Sequence, residues 1–396
     1  MKSPLDEIVA ADAGGTDAEP VLRYRGEKLR ETLGTALRSR FYREKFKNAD
    51  VSELFGAFSQ IPLTRAADVA RESEAFLCVK PDEVSRVVTL RTSGTTASPK
   101  RLFFTDGEIA RTEDFFARGM TAMTRRGGRV LIFLPRSGDD GVTDILSRGL
   151  ARFGCGASVF GAVTDADAAL GAIRAYAPDC VVGLPSHMLY LARSGVAASV
   201  GSVLLCSDYI SPSAVAGIED AWNCRVFSHY GLTETLYGGA VSCGEDGGMH
   251  VCETDLYFEI VGSDGNPAPD GGWGEIAVTT LTRKAMPLVR FATGDAGRFL
   301  TEDCPCGSKV RRLDRVRGRI GSELLCALDD AVLRQPGVLR YSVSRAGNAL
   351  TLSADGDAEA ARSAAEPVAR RFGLAIELRR GAARFDGAAK RVIKPE

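Results

Sequence analysis

A run rich in hydroxyl side chains lies in the first third of the chain and ends in a lysine. It contains, in order, Thr92, Ser93, Gly94, Thr95, Thr96 and Lys100. Hydroxyl donors, main-chain N–H groups around a glycine and a mobile positive charge together suit a polyphosphate. An ordinary Ser/Thr/Gly turn is the alternative, because such turns are common. The G-x-x-x-x-G-K-[ST] pattern of a P-loop is absent, so the run predicts a phosphate-binding loop of another kind.

Two later segments carry groups that suit a nucleotide. Tyr230 and Gly231 precede Thr233 and Glu234, and Asp295 follows some sixty residues further on. A glycine allows close backbone approach, a hydroxyl meets a phosphate, and a carboxylate suits Mg²⁺. A single carboxylate also accepts hydrogen bonds from both hydroxyls of a ribose. The alternative for each segment is a plain turn after a strand.

Four further residues suit a metal ion. Cys243 and His250 lie close together, and Cys304 and Cys306 flank a proline. Three sulfurs and one imidazole form a closed tetrahedral set for a structural Zn²⁺. The C-x-C spacing is tighter than the usual C-x₂₋₄-C, so plain buried thiols remain the alternative. Cys252 is a reserve ligand.

The elements that must position these groups alternate between strand and helix. The segment 84–90 is predicted as a strand and 105–120 as a helix, and 129–228 alternates strands with helices. This alternation indicates parallel sheets covered by helices. Thr64 is a candidate N-cap for a helix. Residues 249–299 read as a β-rich subdomain, and 319–396 as short strands around one helix. We therefore predict an α/β fold, with a large domain over 1–318 and a small α+β domain over 319–396.

Composition limits the partners. The chain has 396 residues, 26% of them charged, with a formal net charge of −1. This balance gives no electrostatic reason to expect nucleic acid or an anionic membrane. We expect no membrane span and no signal peptide, hence a cytoplasmic protein. Its ten cysteines are then expected to be buried or metal-bound, not disulfide-linked.

The motifs resemble those of the adenylate-forming superfamily. The run from Thr92 to Lys100 is similar to T-S-G-T-T-G-x-P-K, although Ala97 stands at the usual glycine. The segment 230–234 resembles Y-G-x-T-E, and Arg315 to Arg319 resembles R-x-x-G-R. The segment 280–295 resembles the phenylacetate–CoA ligase branch almost residue for residue.

The resemblance implies roles for individual residues. Tyr230 would lie beside adenine, Thr233 would contact the α-phosphate, Glu234 would ligate Mg²⁺ and Asp295 would hold the ribose. Ser207 and Asp208 occupy the place of the adenine loop. Arg315 would contact ribose or phosphate, with a solvated basic linker as the alternative. The sequence Cys-Pro-Cys-Gly also occurs at this place in the resembled branch.

The resemblance further implies an activity. The chain would join a carboxylate, aryl or arylacetic, to ATP as an acyl-adenylate and pass the acyl group to CoA, with a homodimer as a candidate assembly. The small domain departs from the pattern, because the catalytic-lysine position falls on Ala388 and Lys390 is displaced by two residues, or ~7 Å along a strand. The loop that admits CoA is also shortened. These departures leave two alternatives: a non-catalytic nucleotide- or acyl-adenylate-binding homologue, and an adenylating enzyme with another acceptor.

Overall fold

The computed structural model describes residues 3–47, 49–90, 99–136, 138, 141–195, 200–245, 248–379 and 393–395. The predicted phosphate-loop residues Thr92, Ser93, Gly94, Thr95 and Thr96 lie outside these ranges, as does Lys390. Lys100 lies inside them.

The helices and strands follow one another along the described chain. The helices are α1 (Asp6–Ala13), α2 (Ala18–Ala36), α3 (Arg40–Lys45), α4 (Val51–Gly56), α5 (Ala66–Glu72), α6 (Asp106–Gly119), α7 (Val142–Phe153), α8 (Ala166–Tyr176), α9 (Pro185–Arg193), α10 (Pro212–Trp222), α11 (Glu323–Val332) and α12 (Ala358–Arg371). The strands are β1 (Arg86–Leu90), β2 (Lys100–Phe104), β3 (Arg129–Phe133), β4 (Gly156–Val159), β5 (Cys180–Gly183), β6 (Ser202–Leu205), β7 (Arg225–Gly231), β8 (Gly239–Ser242), β9 (Met249–Val251), β10 (Leu256–Val261), β11 (Gly274–Thr280), β12 (Phe291–Gly297), β13 (Arg312–Leu313), β14 (Val338–Ala346), β15 (Ala349–Gly356), β16 (Ala375–Leu378) and β17 (Lys394–Pro395).

The chain forms two compact units. Unit 1 comprises Met1–Gly119 and Tyr230–Arg315, and its strands pair antiparallel. One pairing joins β1 to β2, a second orders β10, β11 and β12, and a third orders β8, β9 and β13. The third brings His250 opposite both Val241 and Arg312.

Unit 2 comprises Met120–His229 and Val316–Glu396. Its parallel sheet has the order β7-β6-β5-β3-β4. Both β5 and β6 are buried throughout, as expected of parallel strands covered on both faces. Individual residues mark where the helices that cover the sheet begin and end. Gly154 terminates α7 at φ 83°, and the Ser211 hydroxyl accepts the Ala214 N–H at 3.0 Å at the start of α10. A second sheet, β16-β15-β14-β17, carries α12.

The α/β prediction is confirmed, and most of the strands and helices predicted between 129 and 228 are present. The sequence did not predict β2, α9 or α11. Thr64 is not the N-cap it was predicted to be, because α5 begins after Arg65 and Thr64 instead forms a parallel bridge with Phe291. The predicted domain boundary between residues 318 and 319 stays a prediction. Each of the two compact units instead combines two separate stretches of the chain.

No helix in the described ranges is long and apolar enough to cross a bilayer. All ten cysteines belong to described residues, and none forms a disulfide.

Candidate nucleotide site and metal centre

The predicted nucleotide-site residues divide between the two units. Unit 2 holds Ser207 and Asp208, which follow β6. The residues of unit 1 are Lys100, Tyr230, Gly231, Thr233, Glu234, Asp295 and Arg315. Unit 1 therefore contains groups from all three predicted motifs, together with Arg315.

The first and second motifs meet in an ion pair. The Lys100 ammonium, at the start of β2, contacts Glu234 Oε1. Their side chains are only 9% and 11% exposed. A lysine and a carboxylate that are both nearly buried interact more strongly than a surface pair, because water screens them less. The contact places the predicted phosphate-binding lysine beside the predicted Mg²⁺ ligand.

The second and third motifs meet in a hydrogen bond. The Tyr230 hydroxyl donates to Asp295 Oδ2 at 2.9 Å. The Asp295 residue is 2% exposed, and its own N–H donates to Thr293 Oγ1 at 3.1 Å. The preceding Gly294 N–H donates to Glu275 Oε1 at 3.0 Å. These bonds hold the carboxylate at a defined place on β12.

The turn after Glu234 has an unusual backbone. Thr233–Thr235 forms one 3₁₀ turn, and then Leu236 and Tyr237 both take left-handed conformations, at φ 51° and 67°. Side chains other than glycine cost about 1–3 kcal/mol each in this region, so the surrounding structure must hold them there. The Thr235 hydroxyl donates to Gly238 O at 2.6 Å and helps to close the turn.

A buried arginine fastens the same turn. Arg283 Nη2 donates to Thr235 O at 2.5 Å, and Nη1 donates to Glu108 O at 3.3 Å. Burial lowers the pKa of Arg283. Neither Arg283 nor Glu108 was predicted as a functional residue. The one sequence signal for this pair is that Arg283 lies in the segment 280–295, which resembles the ligases.

A second buried arginine anchors the strand of Asp295. Arg290 is 2% exposed and donates through Nη1 to Ser59 O and Ile61 O at 2.5 and 2.6 Å, and through Nε to Glu259 Oε2 at 3.2 Å. Burial raises the pKa of Glu259, and Arg290 opposes that rise. The Thr64 N–H donates to Arg290 O at 3.0 Å, so the segment predicted as a helix start is instead a support for β12.

The remaining predicted residues have local partners. The Arg315 N–H donates to Asp314 Oδ1 at 2.7 Å. In unit 2, Ser207 takes φ 71° and its hydroxyl donates to Cys206 Sγ at 3.6 Å. The Asp208 Oδ1 accepts the Tyr209 N–H at 2.8 Å.

Cys243, His250, Cys304 and Cys306 lie together in unit 1, as their types predicted. All four are buried, and their ligand atoms lie within 4.8 Å of one another. The Cys243 and Cys304 sulfurs are 3.6 Å apart, and Cys306 Sγ is 3.5 Å from His250 Nε2. Tetrahedral zinc with bonds of ~2.3 Å to sulfur requires sulfurs ~3.8 Å apart. The donor set therefore fits zinc closely.

Main-chain geometry explains how the tight C-x-C spacing reaches one point. The Gly307 N–H donates to Cys304 O at 2.9 Å, and Gly307 takes φ 78°. This left-handed glycine closes a turn that directs both sulfurs to the same side. Cys252 is buried nearby, but its thiol donates to Asp255 Oδ2 at 3.3 Å and it is not one of the four clustered residues.

The histidine is held in one tautomer. His250 Nδ1 lies 2.9 Å from Val310 O, and a carbonyl only accepts, so Nδ1 carries the proton. The unprotonated Nε2 then faces the sulfurs, as metal ligation requires. Burial lowers the pKa of His250 and raises that of Cys243 to about 12. Without a cation, the site thus favours neutral groups.

Helix α1 braces this cluster of cysteines and histidine. The Val310 N–H donates to Ser308 Oγ at 3.2 Å, and the Ser308 hydroxyl donates to Asp6 Oδ1. The Val310 side chain packs in a cluster with Val9, Ala13 and Val21. The first helix is therefore linked through Val310 to the His250 imidazole.

These features define a class: an α/β protein whose predicted nucleotide-binding residues lie on strands and turns of unit 1, together with a buried Cys₃His cluster. The AMP-binding enzyme family matches residues 27–282. The chain belongs to that family.

Named relatives agree with this assignment. The chain is 28% identical over 289 residues to phenylacetate–coenzyme A ligase of Thermus thermophilus, a match that covers 67% of this chain and 62% of that enzyme. It is 29% identical over 331 residues to phenylacetate–coenzyme A ligase of Escherichia coli, covering 76% and 71%. The Thermus match thus spans less than two thirds of the relative's length.

Solved structures share the fold. A crystal structure of 2-hydroxyisobutyryl-CoA ligase in complex with 2-HIB-AMP has a TM-score of 0.79 at 21% identity, covering 95% of this chain and 90% of the other. A benzoate CoA ligase from Burkholderia xenovorans has a TM-score of 0.56 at 13% identity, covering 74% and 65%. At these identities the likeness shows the fold alone.

Proposed function

We propose that this protein activates a carboxylic acid with ATP and transfers the acyl group to CoA. The observation that carries the proposal is the meeting of Lys100 with Glu234 and of Tyr230 with Asp295 inside unit 1. The relatives named phenylacetate–coenzyme A ligase make an aryl or arylacetic acid the best candidate substrate.

The residues divide the work of the first step. A carboxylate oxygen attacks the α-phosphorus of ATP, the bond to pyrophosphate breaks, and the products are acyl-adenylate and pyrophosphate. Lys100, the Ser/Thr loop and Thr233 would stabilise charge on the phosphate oxygens, and Asp295 would orient the ribose. Mg²⁺, held by Glu234, would neutralise phosphate charge. In unit 1, adenine would lie near Tyr230 and Gly231, with Arg315 at ribose or phosphate. The place of Ser207 and Asp208 in the adenine loop stays a prediction from the resemblance.

In the second step the CoA sulfur attacks the acyl carbon, and AMP leaves. We assign a supporting charge in the first step to Lys390 and propose that 319–396 acts as the small domain. The displaced lysine and the shortened loop favour the two alternatives, namely a binding protein without catalysis and an enzyme with another acceptor.

ATP–pyrophosphate exchange with a panel of carboxylic acids tests the proposal. We expect exchange with at least one aryl or arylacetic acid and a CoA thioester when CoA is added. Exchange with no acid would leave a binding protein, and an adenylate that CoA does not consume would indicate another acceptor.

We further propose a structural Zn²⁺ at Cys243, His250, Cys304 and Cys306. Three sulfurs and one imidazole leave no open coordination position, so the ion would stabilise unit 1 and take no part in acyl transfer.

We also propose a cytoplasmic location, which agrees with ten unlinked thiols. Size-exclusion chromatography tests the homodimer.

Asp6 provides a prediction about the metal centre. We expect Asp6→Asn to speed zinc release about threefold to tenfold, because it weakens the Ser308–Val310 brace behind His250. Glu7→Gln is the matched control, since Glu7 is the next residue on α1 but pairs with Arg118. The measurement is zinc transfer to a chromogenic chelator. Equal release from both variants would contradict the brace.

Asp295 provides a prediction about ATP. We expect Asp295→Asn to raise the KM for ATP about tenfold, since charge-assisted hydrogen bonds to the ribose contribute ~1.5–3 kcal/mol. Asp114→Asn is the control, because Asp114 pairs with Arg118 on α6 of the same unit and not with any described residue predicted for the nucleotide site. Steady-state exchange kinetics provide the measurement. A KM for ATP within twofold of the wild-type value would show that Asp295 does not bind the ribose.

A further inference from the structure

Glu108 and Arg283 form a buried link between the two sides of the Lys100–Glu234 pair. Glu108 is 3% exposed although it is a carboxylate, and Arg283 is 8% exposed. Buried charged groups are costly unless hydrogen bonds satisfy them. The hydrogen bonds that these two make reach the segments carrying Lys100 and Glu234.

Glu108 ties the end of β2 to the loop of Arg283. Its Oε2 accepts the N–H of Thr105 at 2.6 Å, and Thr105 follows β2, which begins at Lys100. Its Oε1 accepts the N–H groups of Lys284 and Ala285 at 2.6 and 3.2 Å. One carboxylate thus fixes both segments.

Arg283 completes the connection to Glu234. Its guanidinium lies 5.8 Å from the ring centroid of Phe104, the last residue of β2. Its Nη2 donates to Thr235 O, one residue beyond Glu234, at 2.5 Å. A closed path therefore runs from Lys100 along β2, through Glu108 and Arg283, to Glu234, and back across the ion pair.

We propose that Arg283 and Glu108 are positioning residues that set the separation of Lys100 and Glu234, and so the affinity of the site for Mg²⁺ with ATP. The proposal rests on the proposed function. Groups preorganised in this way need no rearrangement when charge develops on the phosphates. The strained turn at Leu236 and Tyr237 would relax without the guanidinium and carry Glu234 away from the metal.

The test compares Arg283→Lys with Arg311→Lys. Arg311 is the matched control, because it is also an arginine of unit 1 and is partly buried, but its guanidinium pairs with Glu253 at 2.7 Å and not with the turn after Glu234. We measure Mn²⁺ binding by electron paramagnetic resonance in the presence of a non-hydrolysable ATP analogue. Melting temperature and the Mg²⁺ dependence of exchange complete the comparison.

We expect Arg283→Lys to weaken Mn²⁺ binding about tenfold and to raise the Mg²⁺ concentration for half-maximal exchange by a similar factor. Both variants should lower the melting temperature, but Arg311→Lys should leave both metal constants within twofold of wild type. Equal shifts in the two variants, or none in Arg283→Lys, would overturn the proposal.

Glu108→Gln covers the case in which Arg283→Lys does not fold. Glutamine keeps the size of the side chain, but its NH₂ group would face main-chain N–H donors whose hydrogen bonds the carboxylate now accepts. The constants for Mn²⁺ binding and for the Mg²⁺ dependence of exchange should therefore shift in the same direction as in Arg283→Lys. Unchanged constants there would also overturn the proposal. Wild-type protein that neither exchanges pyrophosphate nor binds Mn²⁺ would instead refute the proposed function.

Discussion

Glu234→Gln is expected to reduce ATP–pyrophosphate exchange about 100-fold or more. The substitution keeps the shape of the side chain but replaces a charged Mg²⁺ ligand with a neutral amide, at the place where phosphate charge is greatest. Loss of a single preorganised electrostatic contact commonly costs 10²–10³ in rate. Exchange at saturating acid and ATP, measured across a range of Mg²⁺ concentrations, provides the test.

The control for this variant is Glu302→Gln, an exposed carboxylate of the same unit. The Lys100 ammonium keeps an amide oxygen as partner in Glu234→Gln, so the fold should survive, and melting temperature verifies this. Exchange above a third of the wild-type rate would show that Glu234 does not hold the metal. Loss of exchange in Glu302→Gln would show that removing any one negative charge from unit 1 lowers the rate, whatever its position.

Cys304→Ser is expected to lose zinc and to lower the melting temperature of unit 1 by about 10 °C. Loss of a structural metal is among the largest single-residue effects, ~4 kcal/mol or more. One kcal/mol corresponds to ~2–4 °C for a unit of about 200 residues. Metal analysis and calorimetry of the purified variant provide the measurements.

Cys252→Ser is the matched control, because Cys252 is a fully buried thiol just after β9 that bonds Asp255 instead of facing the cluster. It should retain about one equivalent of zinc. Zinc loss in both variants would show that the ligand set is wrong. Wild-type protein with less than a tenth of an equivalent after mild purification would end the zinc proposal.

Much of the fold was predictable from the sequence, because the spacing of apolar residues and the positions of glycines determine many of the helices and strands locally. Helix α7 lies in the segment 129–228, which was predicted to alternate strands with helices, and Gly154 follows its last residue as a terminating glycine. Helix α9 was not predicted, although it begins at Pro185 and proline is well accepted at the first helical position. Strand β2 was missed because its pairing with β1 is a non-local property.

In the candidate sites too, residue types predicted some features, and contacts between distant segments decided others. The types of Cys243, His250, Cys304 and Cys306 predicted a cluster, and the structure brings all four together. No sequence signal, in contrast, indicated that Val310 would fix the His250 tautomer or that Asp6 would brace it through Ser308. Those contacts join segments 60 and 302 residues apart along the chain.

By itself the sequence determined which chemical groups are available: the hydroxyl-rich run, the tyrosine-to-glutamate segment, the late aspartate and the four metal-type ligands. Only the tertiary structure decided which of them touch. Lys100 faces Glu234, and Tyr230 donates to Asp295, because strand pairing and buried arginines hold distant segments side by side. Residue type is a local property, whereas distance between side chains depends on the packing of the whole unit.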